Sequence, residues 1–160
     1  MLLMRELRGF FRSGVEYAYL DARRLMKREK KLFLLVEDFE DSRFMMRRLL
    51  EMAGYAVIEA SDGEQAVALA ISEQPELILM DLSLPKLDGL AATRQIRQYK
   101  EARNTPIVAI SAHDSPESRT EALAAGCDEY VTKPIDFDQL GEVLKHFLSA
   151  DRHRNQGRPA

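Results

Sequence analysis

A chain of 160 residues with 46% apolar content has the size and composition of one ordinary globular domain, long enough to bury a core without covalent staples. Its single cysteine, Cys127, excludes an internal disulfide and a multi-thiol metal site. Residues 1–31 carry nine Lys/Arg against four Asp/Glu, a balance of +5, and residues 151–160 carry +2, so the net charge of −3 leaves residues 32–150 at −10 and excludes nucleic acid as the main ligand of that body.

In chain order, residues 1–30 come first as a basic extension. Leu3, Leu7, Phe10, Gly14, Tyr17, Ala18 and Leu25 recur at helical spacings, which predicts an amphipathic helix weakened by Gly9 and Gly14. Its basic side suits a membrane surface, an acidic partner or the acidic body; the extension reads first as a helix packed on its own domain or a frayed leader, with homodimerisation or docking through it, or membrane contact, as the alternatives. MLLMRELRGFF meets arginine too early for a secretory leader, and no run approaches the ~20 apolar residues needed to cross a bilayer. A cytoplasmic location is the expectation.

From Lys31 onward short apolar runs alternate with helical segments. The runs are Leu32–Val36, Tyr55–Ile58, Leu77–Met80, Ile107–Ile110 and Glu129–Val131, and their continuous apolarity predicts strands buried on both faces. Between them, Gly54 closes a helix carrying Met45, Leu49 and Met52. Asp62 with Gln65 and Asp136 with Gln139 read as capping boxes, Ser115-Pro116 as a helix start and Gly126 as a stop. Leu140, Val143, Leu144 and Phe147 form the one-sided stripe of a last helix laid on a sheet. Five βα units in a row predict a parallel sheet with helices on both faces, over residues 31–149. Residues 150–160 read as a disordered tail.

The chemistry lies where the strands end. The first run ends in Glu37-Asp38, the third in Asp81, the fourth in Ser111 and the fifth in Lys133-Pro134. Each residue alone reads as turn chemistry or a solvated loop. Together they deliver polar groups to the sheet edge where α/β proteins bind ligands. Glu37, Asp38 and Asp81 would be a cluster of like charges needing a cation, and an all-oxygen set suits Mg²⁺, whereas zinc would want His or Cys. An Asp carboxylate can act as a nucleophile toward phosphorus, with Lys133 and the Ser111 hydroxyl holding the phosphoryl oxygens.

The segments LFLLVEDFEDSR (32–43), SDGEQAVAL (61–69), LILMDLSLPKLDGLAATRQIR (77–97), TPIVAISAH (105–113) and AAGCDEYVTKPID (124–136) resemble the response-regulator receiver domain of two-component signalling. The resemblance implies a flavodoxin-like, doubly wound sheet of order 2-1-3-4-5. It makes Asp81 the phosphoacceptor, Asp38 and Asp81 direct Mg²⁺ ligands, Glu37 a ligand through water and the Ser83 carbonyl a further one. Lys133, joined to Pro134 by a cis peptide, pairs with the phosphoryl group. Ser111 and Tyr130 are implied as switch residues, and Ser83 and His113 as residues that tune the phosphoryl lifetime. Glu37 stands where the family more often has Asp.

The implied function is that of a stand-alone phosphoacceptor module rather than an enzyme, with at most self-catalysed transfer and slow autodephosphorylation. Its donor is a histidine kinase or histidine phosphotransfer protein. Its output is a phosphorylation-dependent face for an unnamed protein, with no direct DNA binding by the body. Two rivals differ in kind. A phosphorylation-independent interaction domain would keep the fold without needing the site. An aspartate-nucleophile phosphohydrolase would need a second Asp two residues after Asp81, where Ser83 stands.

Overall fold

Runs such as Leu-Phe-Leu-Leu-Val and Ile-Val-Ala-Ile are too short for stable helices and too apolar for a surface, so they pair as interior strands. The computed structural model describes residues 30–154, with side chains as far as Ser149. The strands are β1 (Leu32–Val36), β2 (Ala56–Ala60), β3 (Leu77–Asp81), β4 (Ile107–Ser111) and β5 (Glu129–Thr132). The helices among the described residues are α1 (Glu40–Met52), α2 (Gly63–Glu73), α3 (Gly89–Gln98), α4 (Pro116–Ala125) and α5 (Phe137–Arg154). All strand pairs are parallel and the order is β2-β1-β3-β4-β5, as expected. Among the described residues no helix is long and apolar enough to cross a membrane.

Alternation along the strands sends side chains to two cores. Leu34, Val36, Ile78, Met80, Ile107 and Ala109 meet the small residues of α2, α3 and α4, among them Ala66, Ala70, Ala92 and Ala122. Phe33, Leu35, Leu77, Leu79, Val108 and Ile110 meet α1 and α5 through Met46, Leu50, Leu140 and Leu144. Val143 and Phe147 pack at the margin of this second core, so the stripe read for the last helix is the face it buries.

The first helix differs from expectation. Met46 and Leu50 are its buried residues, whereas Met45 is 55% and Met52 80% exposed. Two apolar stripes interleave on this helix, and periodicity alone does not choose between them. Residues 150–154 continue α5, past the boundary drawn at 149, because no glycine or proline interrupts the helix before Gly157. The basic extension of residues 1–30 lies, apart from Lys30, outside the described residues, as do residues 155–160.

The caps are in place. Asp62 and Ser115 accept hydrogen bonds from the Gln65 and Ser118 amides, and Gly54 and Gly126 adopt φ of 97° and 111° at the ends of α1 and α4. Gln65 reaches back to the Ser61 amide, one residue before the cap, so the box is looser than the motif implies. Asp62 also binds Lys86 Nζ at 2.8 Å, tying the β3–α3 loop to the start of α2. The Gln65 amide first, and then Lys86, hold the Asp62 carboxyl below its ordinary value of 3.8. A depressed carboxylate contributes stability above its unfolded value and loses that contribution as pH falls through the folded one. Asp62→Asn should therefore flatten the part of a Tm-against-pH curve that lies below the ordinary value, a shift readable by circular dichroism.

Gly89 opens α3 directly under the phosphoacceptor candidate. A Cβ there would collide with the Asp81 carbonyl oxygen and crowd Leu82, both backbone. At Gly54 a Cβ would meet nothing, and only the positive φ opposes it. Gly89→Ala should therefore cost about 3 kcal/mol in urea unfolding, and Gly54→Ala about 1 kcal/mol. Equal losses would mean that the close approach under Asp81 does not matter.

Candidate functional site

Strand register brings the polar residues level. Val36 pairs with Met80, Asp81 with Ile110 and Ser111 with Thr132, so Glu37, Asp81, Ser111 and Lys133 leave the carboxyl edge of the sheet side by side. The Lys133 amide donates to the Ser111 carbonyl at 2.7 Å, which continues the ladder one step beyond β5. Strand order reverses between β1 and β3, and the crevice at that reversal lies between Glu37 and Asp81.

One carboxylate oxygen from each of Glu37, Asp38 and Asp81 lies within 4.8 Å of the others. Asp81 and Glu37 are buried and Asp38 is exposed. Asp81 Oδ1 accepts from the Ser83 amide at 2.8 Å, and Oδ2 from Lys133 Nζ at 2.7 Å. Lys133 Nζ also donates to Glu37 Oε2 at 2.9 Å, while Glu37 Oε1 accepts from the Phe39 amide. One ammonium thus bridges two buried carboxylates beside a third. Burial pushes Glu37 above its ordinary value; its hydrogen bonds to Lys133 and Phe39 recover only part, and the charge of Asp81 adds to the rise. For Lys133, burial works against the charge, but hydrogen bonds to Asp81 and Glu37 outweigh it and hold the ammonium above its ordinary value. Three carboxylates against one ammonium leave negative charge in excess among the described groups of the site, and hard oxygen donors at this spacing fit Mg²⁺.

The other expected residues surround this centre. Ser111 is buried, and its Oγ accepts from the His113 amide at 3.1 Å, which leaves the hydroxyl hydrogen free to donate elsewhere. Tyr130 is only 2% exposed, its hydroxyl donates to the His113 carbonyl at 2.6 Å, and the Arg119 guanidinium lies 5.3 Å from its ring. The Tyr130 ring is thus turned fully inward. Ser83 and His113 are exposed and line one cleft of about 340 Å³ with Asp88, Arg94 and Ser111. The Lys133–Pro134 peptide is cis.

Sequence reasoning passed over Arg43 and Lys86. Arg43 Nη1 donates to the Glu37 carbonyl at 2.8 Å and to the Asp38 carbonyl at 3.3 Å. Its signal was a cation in the first turns of the helix that follows an acidic pair. Lys86 stands at φ 63° in the loop after Asp81, where residue type alone reads as an ordinary turn. On the opposite side of the site, Met45, Met46, Pro134, Ile135 and Phe137 line an apolar cleft that reaches Glu37 and Lys133.

Comparison with known proteins agrees with this geometry. The model of the response regulator receiver domain matches residues 33–145. The polar-differentiation response regulator DivK of Brucella ovis is 34% identical over 118 residues, covering 74% of this chain and 96% of DivK. Among solved structures, the receiver domain of the sensor histidine kinase PA1611 from Pseudomonas aeruginosa, with a magnesium ion coordinated in its active site cleft, superposes with a TM-score of 0.71. It is 36% identical, with 75% of this chain and 98% of that one covered. Chemotaxis response regulator CheY4 of Vibrio cholerae gives a TM-score of 0.70 at 29% identity, over 74% and 98% of the two chains. With the family model covering most of the body and the fold and acidic edge in agreement, this chain belongs to the response regulator receiver family.

Proposed function

We propose that this protein is an aspartate-phosphorylated switch, taking its phosphoryl group from a phosphohistidine on a histidine kinase or histidine phosphotransfer protein. The observation that carries this reading is Lys133 Nζ bridging Asp81 and Glu37 beside the third carboxylate, Asp38. Glu37 through water, Asp38, Asp81 and the Ser83 carbonyl would hold Mg²⁺, and the magnesium ion in the PA1611 cleft supports that assignment. Bound there, the cation neutralises phosphoryl oxygens and lets an anion approach an acidic centre.

The transfer follows from the side chains. A carboxylate oxygen of Asp81 attacks phosphorus, the phosphorus–nitrogen bond of the donor breaks, and the imidazole nitrogen keeps the electron pair. Lys133 moves from the carboxylates to the new phosphoryl oxygens, and Ser111 donates its free hydroxyl hydrogen to another. His113 and Ser83, lining the adjoining cleft, govern how hydrolytic water reaches the acyl phosphate. The signal leaves through a face made by α4, β5 and α5, because Ser111 and Lys133 border it and Tyr130 packs beneath it. The names of DivK and CheY4 as response regulators support a signalling role of this kind.

The bond type provides the test. The protein is incubated with Mg²⁺ and radiolabelled phosphoramidate, whose phosphorus–nitrogen bond copies that of phosphohistidine, and is then treated with hydroxylamine. Label on an aspartyl acyl phosphate is released. Label that survives, as a serine ester does, contradicts the assignment to Asp81.

A further inference from the structure

We infer that Arg43 is a positioning residue for the acidic pair, holding the backbone of Glu37 and Asp38 so that both carboxylates face Asp81 for a divalent cation. This rests on the Mg²⁺ site proposed above. The turn from β1 to α1 is short, comprising Glu37, Asp38 and Phe39. Phe39, at the N-cap position, offers no side-chain hydrogen bond, and the Phe39 amide is instead taken by the Glu37 carboxylate. Glu37 is therefore committed three ways: to that amide, to Lys133, and to whatever occupies the acidic centre. When its carboxylate turns toward a cation, the turn needs another anchor.

Arg43 supplies one. Its Nη1 reaches the carbonyls of the two residues whose side chains make up the acidic pair, at 2.8 and 3.3 Å. Its Nε lies 3.4 Å from Glu59 Oε1 on β2, and Glu59 is also within 3.5 Å of Arg47. The guanidinium is thus fixed at one end by the sheet and at the other holds two consecutive peptide units. Rotation of either unit would carry a carboxylate away from Asp81. Planar, forked donors make arginine suited to this task, and lysine cannot reproduce it.

Charge and position predict opposite signs, which makes the inference testable. A guanidinium near three carboxylates repels a metal cation, so its removal by charge alone would tighten Mg²⁺ binding by roughly a few fold. Loss of a residue that orients ligands weakens metal binding by roughly tenfold or more. Mg²⁺ affinity is measured by titration calorimetry on the full chain for wild type, Arg43→Gln, Arg43→Lys and Arg48→Gln. Arg48 carries the same charge on the same helix but, among the described residues, pairs with Glu51, at 3.5 Å, and not with the acidic turn. Thermal unfolding without Mg²⁺ runs alongside to separate affinity from stability.

Both Arg43 variants should bind Mg²⁺ roughly tenfold more weakly, with Arg48→Gln matching wild type. If Arg43→Gln fails to fold, Arg43→Lys carries the test, because charge alone predicts no change for it. Unchanged or tighter binding in the folded Arg43 variants overturns the inference while leaving the metal site standing. Failure of wild type to bind Mg²⁺ overturns the metal site and this inference with it.

Discussion

Asp81→Asn is expected to abolish phosphorylation while leaving the domain folded. The amide is nearly isosteric with the carboxylate, and Asn Oδ1 can still accept from the Ser83 amide, as Asp81 does at 2.8 Å. Lys133 keeps its other partner, Glu37, at 2.9 Å. Removing one of three like charges relieves repulsion at the sheet edge, which offsets the lost ion pair. The amide, however, lacks the nucleophilic oxygen, and the neighbouring buried carboxylate, Glu37, is engaged by Lys133 and the Phe39 amide. Intact mass after incubation with a small phosphodonor should show no added phosphoryl group, and unfolding should remain cooperative. Mg²⁺ affinity should fall as well, since a charged oxygen ligand is gone. A modified Asp81→Asn protein would move the acceptor to another residue.

Lys133→Met is expected to have the next largest effect, with opposite signs in two assays. Phosphoryl transfer should slow by roughly a hundredfold or more, because the ammonium that sits on Asp81 and can follow charge onto the phosphoryl oxygens is lost. Mg²⁺ should bind more tightly, since Lys133 competes for the same oxygens of Asp81 and Glu37. Without metal the variant should lose about 1–3 kcal/mol, below the full cost of breaking a buried pair, because the Lys133 side chain is 32% exposed. Added Mg²⁺ should restore more stability to the variant than to wild type, as tighter binding to the folded state requires. Weaker Mg²⁺ binding in Lys133→Met would mean that the lysine organises the site rather than competing for it. Together with Arg43→Gln, this variant asks whether two cations beside one acidic centre act in opposite ways, one on the carboxylate oxygens and the other on the backbone that bears them.

Most of the fold could be read from local patterns, because continuous apolar runs, Asp62, Ser115, Gly54 and Gly126 each have one physical reading where they stand. The placement of Asp81, Ser111 and Lys133 at one edge followed from parallel connectivity, since every strand of such a sheet ends on the same side. What remained hidden depends on the angle at which elements meet. Met46 rather than Met45 turns inward on α1, a choice made by the approach of the helix to the sheet and not by its periodicity. Arg43 and Lys86 act through contacts with backbone and with a cap, and a cation in sequence carries no mark of its partner. The inward turn of Tyr130 likewise depends on the His113 carbonyl and Arg119 around it, which strand periodicity does not place.

The most direct measurement is intact mass of the wild-type protein incubated with a small phosphodonor, with and without Mg²⁺. The expected result is a gain of one phosphoryl group that appears with Mg²⁺ and disappears when the metal is chelated beforehand. A protein that binds Mg²⁺ in calorimetry yet gains no phosphoryl group, or gains it equally well without metal, would contradict an acidic centre built for phosphoryl transfer to Asp81.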